Sequence, residues 1–364
     1  MVGSSGNLWP PGIMSNLGTN RILLTGAAGW LGLNLVHALA RGIPEHPTLH
    51  APVADLKLRC LLLPGQDAAQ VRAICPSAEI VTGDVRNAAD CQRFCEGAAG
   101  GVLFHTAGII HPGRVQDFYD INLEGTKNLL AAATTGKVRR AVIVSSNSPC
   151  GCNPHPDHVF DEESPYNPYM HYGRSKMRME QAVHAVQGAG RIETVLIRAP
   201  WFYGPFQPPR QTLFFEMVRD GKGPIVGGGD NLRSMAYTDN LAQGLWLAAA
   251  VPAANGRTYW IADEQPYSMN QVMDTIERLL ETEFGQKCAH RRLRLPGVAS
   301  EVAWVVDKTL QTLGLYHQKF HVLSEMNKTI ACTIARAKRE LGYQPTIALE
   351  EGMRRSLASL YPRK

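Results

Sequence analysis

No stretch of this chain offers the roughly 18 consecutive apolar residues that a membrane-spanning helix needs. The nearest approach, Val298 to Leu315, is interrupted by Glu301, Asp307 and Lys308, so stable membrane insertion is not expected. A disulfide framework is missing too. Cys60, Cys75, Cys91, Cys95, Cys150, Cys152, Cys288 and Cys332 share no scaffold spacing, and no positive start with an apolar run precedes them. That pattern fits reduced thiols and a cytoplasmic protein. Charge of one sign is scarce, with a net +5 over 364 residues and bases mostly interleaved with acids. The densest basic run, His290-Arg291-Arg292-Leu293-Arg294, has no aromatic residues around it on which bases would stack. It reads as a solvated strand edge, and no nucleic-acid partner is expected. The opening 20 residues, rich in Gly, Ser, Asn and Pro, read as a disordered lead-in.

What the chain has, from Arg21 onward, is alternation. RILLT, LKLRCLLL, AEIVT, GVLFH, RRAVIVSS and ETVLIR are strand-length runs, several of them apolar throughout. Between them lie segments such as WLGLNLVHALARG and DFYDINLEGTKNLLAAAT with apolar residues at helical spacing. Strands apolar on both faces imply a parallel sheet covered by helices on each side. The fold expected is therefore α/β, a doubly wound parallel sheet over residues 21–197. After about Ile197 the alternation loosens, and residues 198–364 read as a smaller C-terminal α/β lobe whose chain returns in part to the first domain. A ligand site is expected where sheet and lobe meet.

RILLT runs directly into GAAGWLG, which places Gly26, Gly29 and Gly32 between the first strand and a helix. The first glycine permits the tight turn, the second lets backbone N–H groups such as those near Trp30 and Leu31 approach a pyrophosphate, and the third lets helix and strand pack. Asp84 and Val85 follow the third strand, where a carboxylate can accept from an adenine amino group. Ala107 and Gly108 follow the fourth, where small residues leave room for a dinucleotide. The end of LKLRCLLL holds Leu62 and Leu63, then Pro64 and Gly65, so the cofactor is NAD or NADP and the sequence does not separate them. Asp67 and Arg72 lie downstream and read as ordinary surface charges.

In SPYNPYMHYGRSK three tyrosines stand three apart, and a helix is expected from near Pro168. Tyr172 alone has a lysine, Lys176, one turn further on. A phenol of ordinary pKa about 10 is a poor base, and a neighbouring ammonium stabilises its anion. Strand RRAVIVSS ends in Ser145 and Ser146, hydroxyl donors at the same sheet edge. Cys150, Cys152, His155 and His158 fall in the loop between, but their spacing matches no common metal site, and no metal is expected.

GAAGWLG, GDV, HTAG, SSNSPCG and YGRSK, in this order, resemble the extended short-chain dehydrogenase/reductase family over roughly residues 21–360. The resemblance implies a Rossmann-type domain and a nicotinamide cofactor. It implies Tyr172 as acid/base, Lys176 as ribose-holding partner that lowers the tyrosine pKa, and Ser146, five before Gly151, as the group orienting the substrate oxygen. Asn122 in INLEGT matches the family's proton-relay asparagine, and Pro200 matches a residue lying against the nicotinamide. Trp201 stands where nucleotide-sugar members carry a diphosphate-binding asparagine. HTAGIIHPG, WFYGP and YTDN look more like the 3β-hydroxysteroid dehydrogenase branch, which implies an apolar secondary alcohol or ketone as substrate. Arg233 matches a diphosphate-binding arginine or serves as a structural bridge to the adjoining helix. The alternatives are a nucleotide-sugar epimerase/dehydratase using tightly bound NAD and a dinucleotide-binding protein without turnover. Family habit implies a homodimer.

Overall fold

The computed structural model describes residues 17–46 and 49–363. The disordered lead-in expected over residues 1–20 lies, up to residue 16, outside the described residues.

Six strand-like runs become six strands: β1 (Arg21–Thr25), β2 (Lys57–Leu62), β3 (Glu79–Thr82), β4 (Val102–His105), β5 (Arg140–Ser146) and β6 (Glu193–Ala199). The helices among them are α1 (Trp30–Arg41), α2 (Ala69–Ile74), α3 (Ala88–Cys95), α4 (Val115–Phe118), α5 (Gly125–Thr135) and α6 (Met170–Gly188). The second half adds short strands β7 (Trp201–Tyr203), β8 (Pro224–Val226), β9 (Leu232–Arg233), β10 (Met235–Tyr237), β11 (Thr258–Trp260), β12 (Tyr267–Ser268) and β13 (Leu293–Leu295). Its helices are α7 (Pro209–Arg219), α8 (Thr238–Ala250), α9 (Met269–Thr282), α10 (Val298–Thr312), α11 (Gln318–Glu325), α12 (Ala335–Leu341) and α13 (Leu349–Ala358).

The main sheet has seven strands in the order β11-β6-β5-β4-β1-β2-β3, every pair parallel. Because side chains alternate along a strand, Ile22 and Leu24 enter one core with α1 and α8, while Leu23 enters a second core with α3, α5 and α6. This two-sided burial is why several of the strands read as apolar throughout. The chain returns to the sheet through β11, which pairs with β6. The lobe has its own core, in which Tyr203, Phe215, Met235 and Tyr237 meet α9 and α13. Ser268 and Gln271 close a capping box at the start of α9, and Gly342, at φ +68°, ends α12.

One expected helix is broken up. Residues 117–134 divide between α4, a wide π-helical turn over Tyr119–Glu124, and α5. A π turn inserts one extra residue into the helix and re-aims the side chains around it, and such turns recur at functional sites. The basic run around β13 is paired rather than bare: Arg292 bridges Asp274 and Glu277, and His290 meets Glu281. No helix among the described residues is long and apolar enough to cross a membrane.

Candidate active site at the carboxyl edge of the sheet

Strand order reverses between β1 and β4, the point where such sheets bind their ligands. The first loop is shaped by glycines with different duties. Gly26 sits at φ +73°, and a Cβ on it would stand 2.7 Å from the Ala107 backbone nitrogen. A Cβ on Gly32 would fall 2.0 Å from the Gly26 carbonyl oxygen. Gly29 is looser, with that same oxygen at 3.2 Å from its would-be Cβ. It begins α1 with no side-chain cap and no acid in the first turn. The first amides of α1, Trp30 and Leu31 among them, are thus left for an external anion, which the helix dipole also favours. The Trp30 side chain turns elsewhere. Its indole N–H donates to the carbonyl of Pro205 at 2.9 Å, and its ring lies 4.8 Å from that of Phe202.

β4 ends in a buried hydrogen-bond chain. The Thr126 hydroxyl donates to the Asn122 carbonyl at 2.7 Å, so it must accept from His105 Nε2–H at 2.9 Å. His105 Nδ1 is then free to accept from the Thr25 hydroxyl at 2.7 Å. This fixes a neutral imidazole, and burial, aided by the charge of Lys176, drives its pKa down to about 3. Just beyond, a Cβ on Gly108 would lie 3.2 Å from Asn122 Oδ1 and 3.4 Å from Lys176 Nζ. The missing side chain leaves open the space where those two groups converge. Asn122, set by the π turn, accepts from the Ile109 N–H at 2.9 Å and donates to the Ile109 carbonyl at 3.0 Å. It therefore also clamps the loop that carries Ala107 and Gly108, a duty the sequence did not reveal.

At the end of β3, Arg86 donates to Asp84 from its backbone N–H and from Nε, each at 2.9 Å. Burial works to raise the Asp84 pKa, but Arg86 holds the carboxyl below its usual range. Val85 packs against α5, where its Cγ2 would lie 2.7 Å from a Cβ on Gly125. β2 ends at Leu62 and is followed by Leu63, Pro64 and Gly65. Asp67 accepts from the Ala69 N–H at 2.8 Å at the start of α2.

The three tyrosines separate by their partners. Tyr166 donates to Glu180 at 2.9 Å; the same carboxylate takes the Ser145 hydroxyl at 2.6 Å and the Arg198 guanidinium at 2.8 Å. Tyr169 shares a hydrogen bond with Ser324 at 2.7 Å. Both hydroxyls are committed to packing. Tyr172, on α6, faces Ser146 across the sheet edge. Burial pushes its phenol up to about 12; a hydrogen bond from Ser146 works against that rise, and the charge of Glu325 adds to it. β-strand alternation explains why Ser145 joins the buried ion pair while Ser146 meets the cleft. Lys176 is buried beside them, its ammonium donating to the Val144 carbonyl at 3.0 Å. Burial lowers its pKa to about 8 against the opposing charge of Glu180. Tyr172 and Lys176 stand one turn apart on α6, both buried.

Beside Tyr172 lies an aromatic cluster that was not foreseen. Phe118 lies 5.7 Å from Tyr172 and edge-on to Tyr316 at 5.3 Å, and the Tyr316 hydroxyl pairs with His111 Nδ1 at 2.7 Å. Tyr316 follows α10, so sequence separation hid it. Pro200 is buried between β6 and β7. Trp201 is half-buried, 5.8 Å from Phe214. Arg233 donates from Nη2 to the Glu325 carbonyl, so its guanidinium anchors α11. Cys150 is in the core, while Asn153 and His158 are hydrogen-bonded at 2.9 Å. Among the described residues no group of three or more His, Cys, Asp or Glu is arranged to hold a metal.

The uncapped α1 amides, the glycine cradle and the space at Gly108, where Lys176 and Asn122 converge, together fit a dinucleotide. Comparison with known proteins agrees. Residues 22–262 match the family model described as NAD dependent epimerase/dehydratase family, which is more than half of the chain. The chain is 52% identical over 337 residues to a Sinorhizobium fredii protein called only uncharacterized protein y4nL, covering 92% of this chain and 94% of that one. It is 30% identical over 362 residues to the 3 beta-hydroxysteroid dehydrogenase/Delta 5-->4-isomerase of Mycobacterium tuberculosis, covering 92% and 88%. In fold it is similar to the crystal structure of DesIV, a dTDP-glucose 4,6-dehydratase from Streptomyces venezuelae with NAD bound. The TM-score is 0.71 at 24% identity, covering 93% of this chain and 96% of that one.

Proposed function

This chain belongs to the NAD dependent epimerase/dehydratase family, and from that premise we propose that it moves a hydride between a nicotinamide cofactor and a secondary alcohol or ketone on an apolar, steroid-like or other lipid-like skeleton. The observation that carries the chemistry is the meeting of Ser146, Tyr172 and Lys176 beside the space at Gly108. When bound, the nicotinamide supplies the carbon that gives or takes the hydride and, when oxidised, a positive charge.

In ketone reduction Tyr172 Oη gives its proton to the substrate oxygen, for which a phenol pushed up to about 12 stands fully protonated. In alcohol oxidation the same atom receives the proton, and the Ser146 hydroxyl supports the anion that precedes transfer. Ser146 also orients the substrate oxygen. Lys176 Nζ, within reach of the space at Gly108, holds the cofactor ribose. Gly26, Gly29 and Gly32, with the amides of Trp30 and Leu31, hold the pyrophosphate. Asn122 keeps the Ala107–Ile109 backbone in register for the ring, and Pro200 lies against it.

An apolar substrate is favoured over a nucleotide sugar by two groups. The Arg233 guanidinium is engaged with a main-chain carbonyl, and Trp201 offers an apolar face where an asparagine would bind diphosphate. Free thiols fit a cytoplasmic setting. The test is to incubate purified protein with NAD⁺ or NADP⁺ and a panel of hydroxysteroids, other apolar secondary alcohols and UDP-sugars, following reduced-cofactor absorbance and product identity. Net cofactor reduction with an apolar alcohol is expected. An isomerised or dehydrated sugar without net reduction would overturn the substrate assignment.

A further inference from the structure

Helix α6, which carries Tyr172 and Lys176, has an unusual beginning. Its N-cap, Tyr169, provides no side-chain cap, and its first residue, Met170, sits at φ +51°, a strained value for a side chain of that size. The early amides of a helix need acceptors, and one of these comes from far away in sequence. Gln311 Oε1, on α10, accepts the His171 backbone N–H at 3.1 Å. Ser324, on α11, meets the Tyr169 hydroxyl at 2.7 Å. The hairpin of α10 and α11 thus closes over the first turn of the helix, one residue before Tyr172.

The grip is organised by one buried carboxylate. Asp307 Oδ2 accepts from Gln311 Nε2 at 2.9 Å and pairs with His321 Nδ1 at 2.8 Å. All three side chains are buried, and the Gln311 amide, bound to Asp307 through its nitrogen, is thereby obliged to present its carbonyl to His171. His321 carries the proton on Nδ1, since the carboxylate can only accept. The groups facing its ring from every side are Asp307 on α10, Glu325 on its own helix with an oxygen 3.8 Å from Nε2, Tyr169 at the start of α6, Tyr316 in the hairpin turn, and His111 after β4. Two of these are carboxylates, and the tyrosines are neutral at physiological pH.

We propose that Asp307, Gln311 and His321 are positioning residues for Tyr172, and that the protonated His321 clasp sets how firmly the hairpin holds the start of the catalytic helix. The hairpin is separately tied down at its turn, where the Val115 N–H donates to the Gly314 carbonyl at 3.0 Å and Tyr316 meets His111. Loss of the clasp therefore loosens the grip on α6 without unfolding the lobe. Burial works to lower the His321 pKa, yet its hydrogen bond to Asp307 and the charges of Asp307 and Glu325 raise it above the ordinary 6.5. A raised histidine contributes fully below its ordinary value and loses that contribution as pH rises through the higher one. The grip is tight in acid and slackens in base.

The catalytic meaning rests on Tyr172 acting as proposed above; the structural clasp is tested without any substrate. Amide hydrogen exchange of the full chain, corrected for the intrinsic pH dependence, is read for residues 170–173 against β1, β4 and β5. Between about pH 6 and about pH 9 the wild-type protein should lose roughly tenfold protection in the first turn of α6 relative to the sheet. His321→Gln should show the weak, base-like protection at both pH values, and Gln311→Met should do the same. Wild-type protection that does not change with pH, or a His321→Gln protein with wild-type protection and wild-type pH dependence, overturns the proposal. With a hydroxysteroid as probe, kcat should fall with the same pH dependence while KM for NAD⁺ stays level. Absence of any turnover in the wild type would instead count against the proposed reaction and leave the exchange result to decide the clasp.

Discussion

The Trp30 indole donates to the Pro205 carbonyl at 2.9 Å and so ties the glycine loop to the chain entering the second lobe. Asn34 Nδ2 donates to the same carbonyl at 3.0 Å. The next residue, Phe206, is held at φ +60°. A side chain in the middle of the glycine loop thus serves as a strut to residues 204–206. Trp30→Phe keeps an aromatic ring at this position and deletes the donor together with part of the ring contact. The expected cost is about 1–3 kcal/mol by urea denaturation, although Asn34 still serves the Pro205 acceptor. NAD affinity should weaken by a few-fold as the loop loosens, measured by calorimetric titration. An unchanged affinity would separate the strut from the cofactor loop.

Tyr166 and Tyr172 differ by six positions and by fate. Tyr166→Phe removes a hydrogen bond to a buried carboxylate and should cost roughly 1–3 kcal/mol of stability while chemistry continues. Tyr172→Phe should leave stability and NAD binding close to wild type and lower turnover about 10²–10⁴-fold. Denaturation midpoints and steady-state rates on the two variants check the pair together. The reverse pattern would mean that the acid/base has been assigned to the wrong ring.

Much of this was legible before any coordinates, and the reason is local chemistry. Parallel strands buried on both faces announce themselves as apolar runs, and Gly29 and Gly32 record contacts within a single loop and helix. The spacing of Tyr172 and Lys176 is one helical turn, readable from the sequence alone. What stayed hidden depends on partners distant in the chain. Tyr316 and Gln311 come from the α10–α11 hairpin and His111 from the loop after β4, and no periodicity links them to Tyr172. The engagement of Asp84 by Arg86 was missed for another reason. Two neighbouring opposite charges can each serve a ligand or each other, and only geometry chooses between them.

Lys176 gives a stability prediction with a definite sign. Its folded pKa of about 8 lies below the ordinary lysine value of 10.5, and burial is the cause. Between those values the unfolded chain binds more protons than the folded one, so this group makes stability rise as pH increases through that window. Below about pH 8 the buried charge costs up to about 3 kcal/mol, from a shift of two to three units at 1.36 kcal/mol each. Lys176→Met should therefore be more stable than wild type near neutral pH, and the advantage should shrink toward pH 10. Denaturant titrations of both proteins across that range provide the check. A gap that widens in base would reverse the sign of the argued shift.

The glycines of the loop should respond differently to the same methyl group. At Gly32 a Cβ would meet the Gly26 carbonyl oxygen at 2.0 Å and the Ala27 Cα at 2.7 Å, both of them backbone atoms that cannot swing aside. Gly32→Ala must push α1 away from β1, and the expected outcome is a protein several kcal/mol less stable or unable to fold. At Gly29 the only close atom is that same oxygen, at 3.2 Å, and the backbone there is extended at φ −85°. Gly29→Ala should fold with a melting temperature near wild type, since the backbone accepts it and the neighbour needs to give little. Its methyl group would nonetheless stand where the pyrophosphate must come close to the α1 amides, so NAD affinity should fall at least tenfold, or about 1.4 kcal/mol. Thermal melts and NAD titrations of the two variants separate a glycine required by packing from one required by the ligand. If Gly29→Ala binds NAD as wild type does, the phosphate does not sit at the start of α1, and the cofactor must be placed differently along the sheet edge.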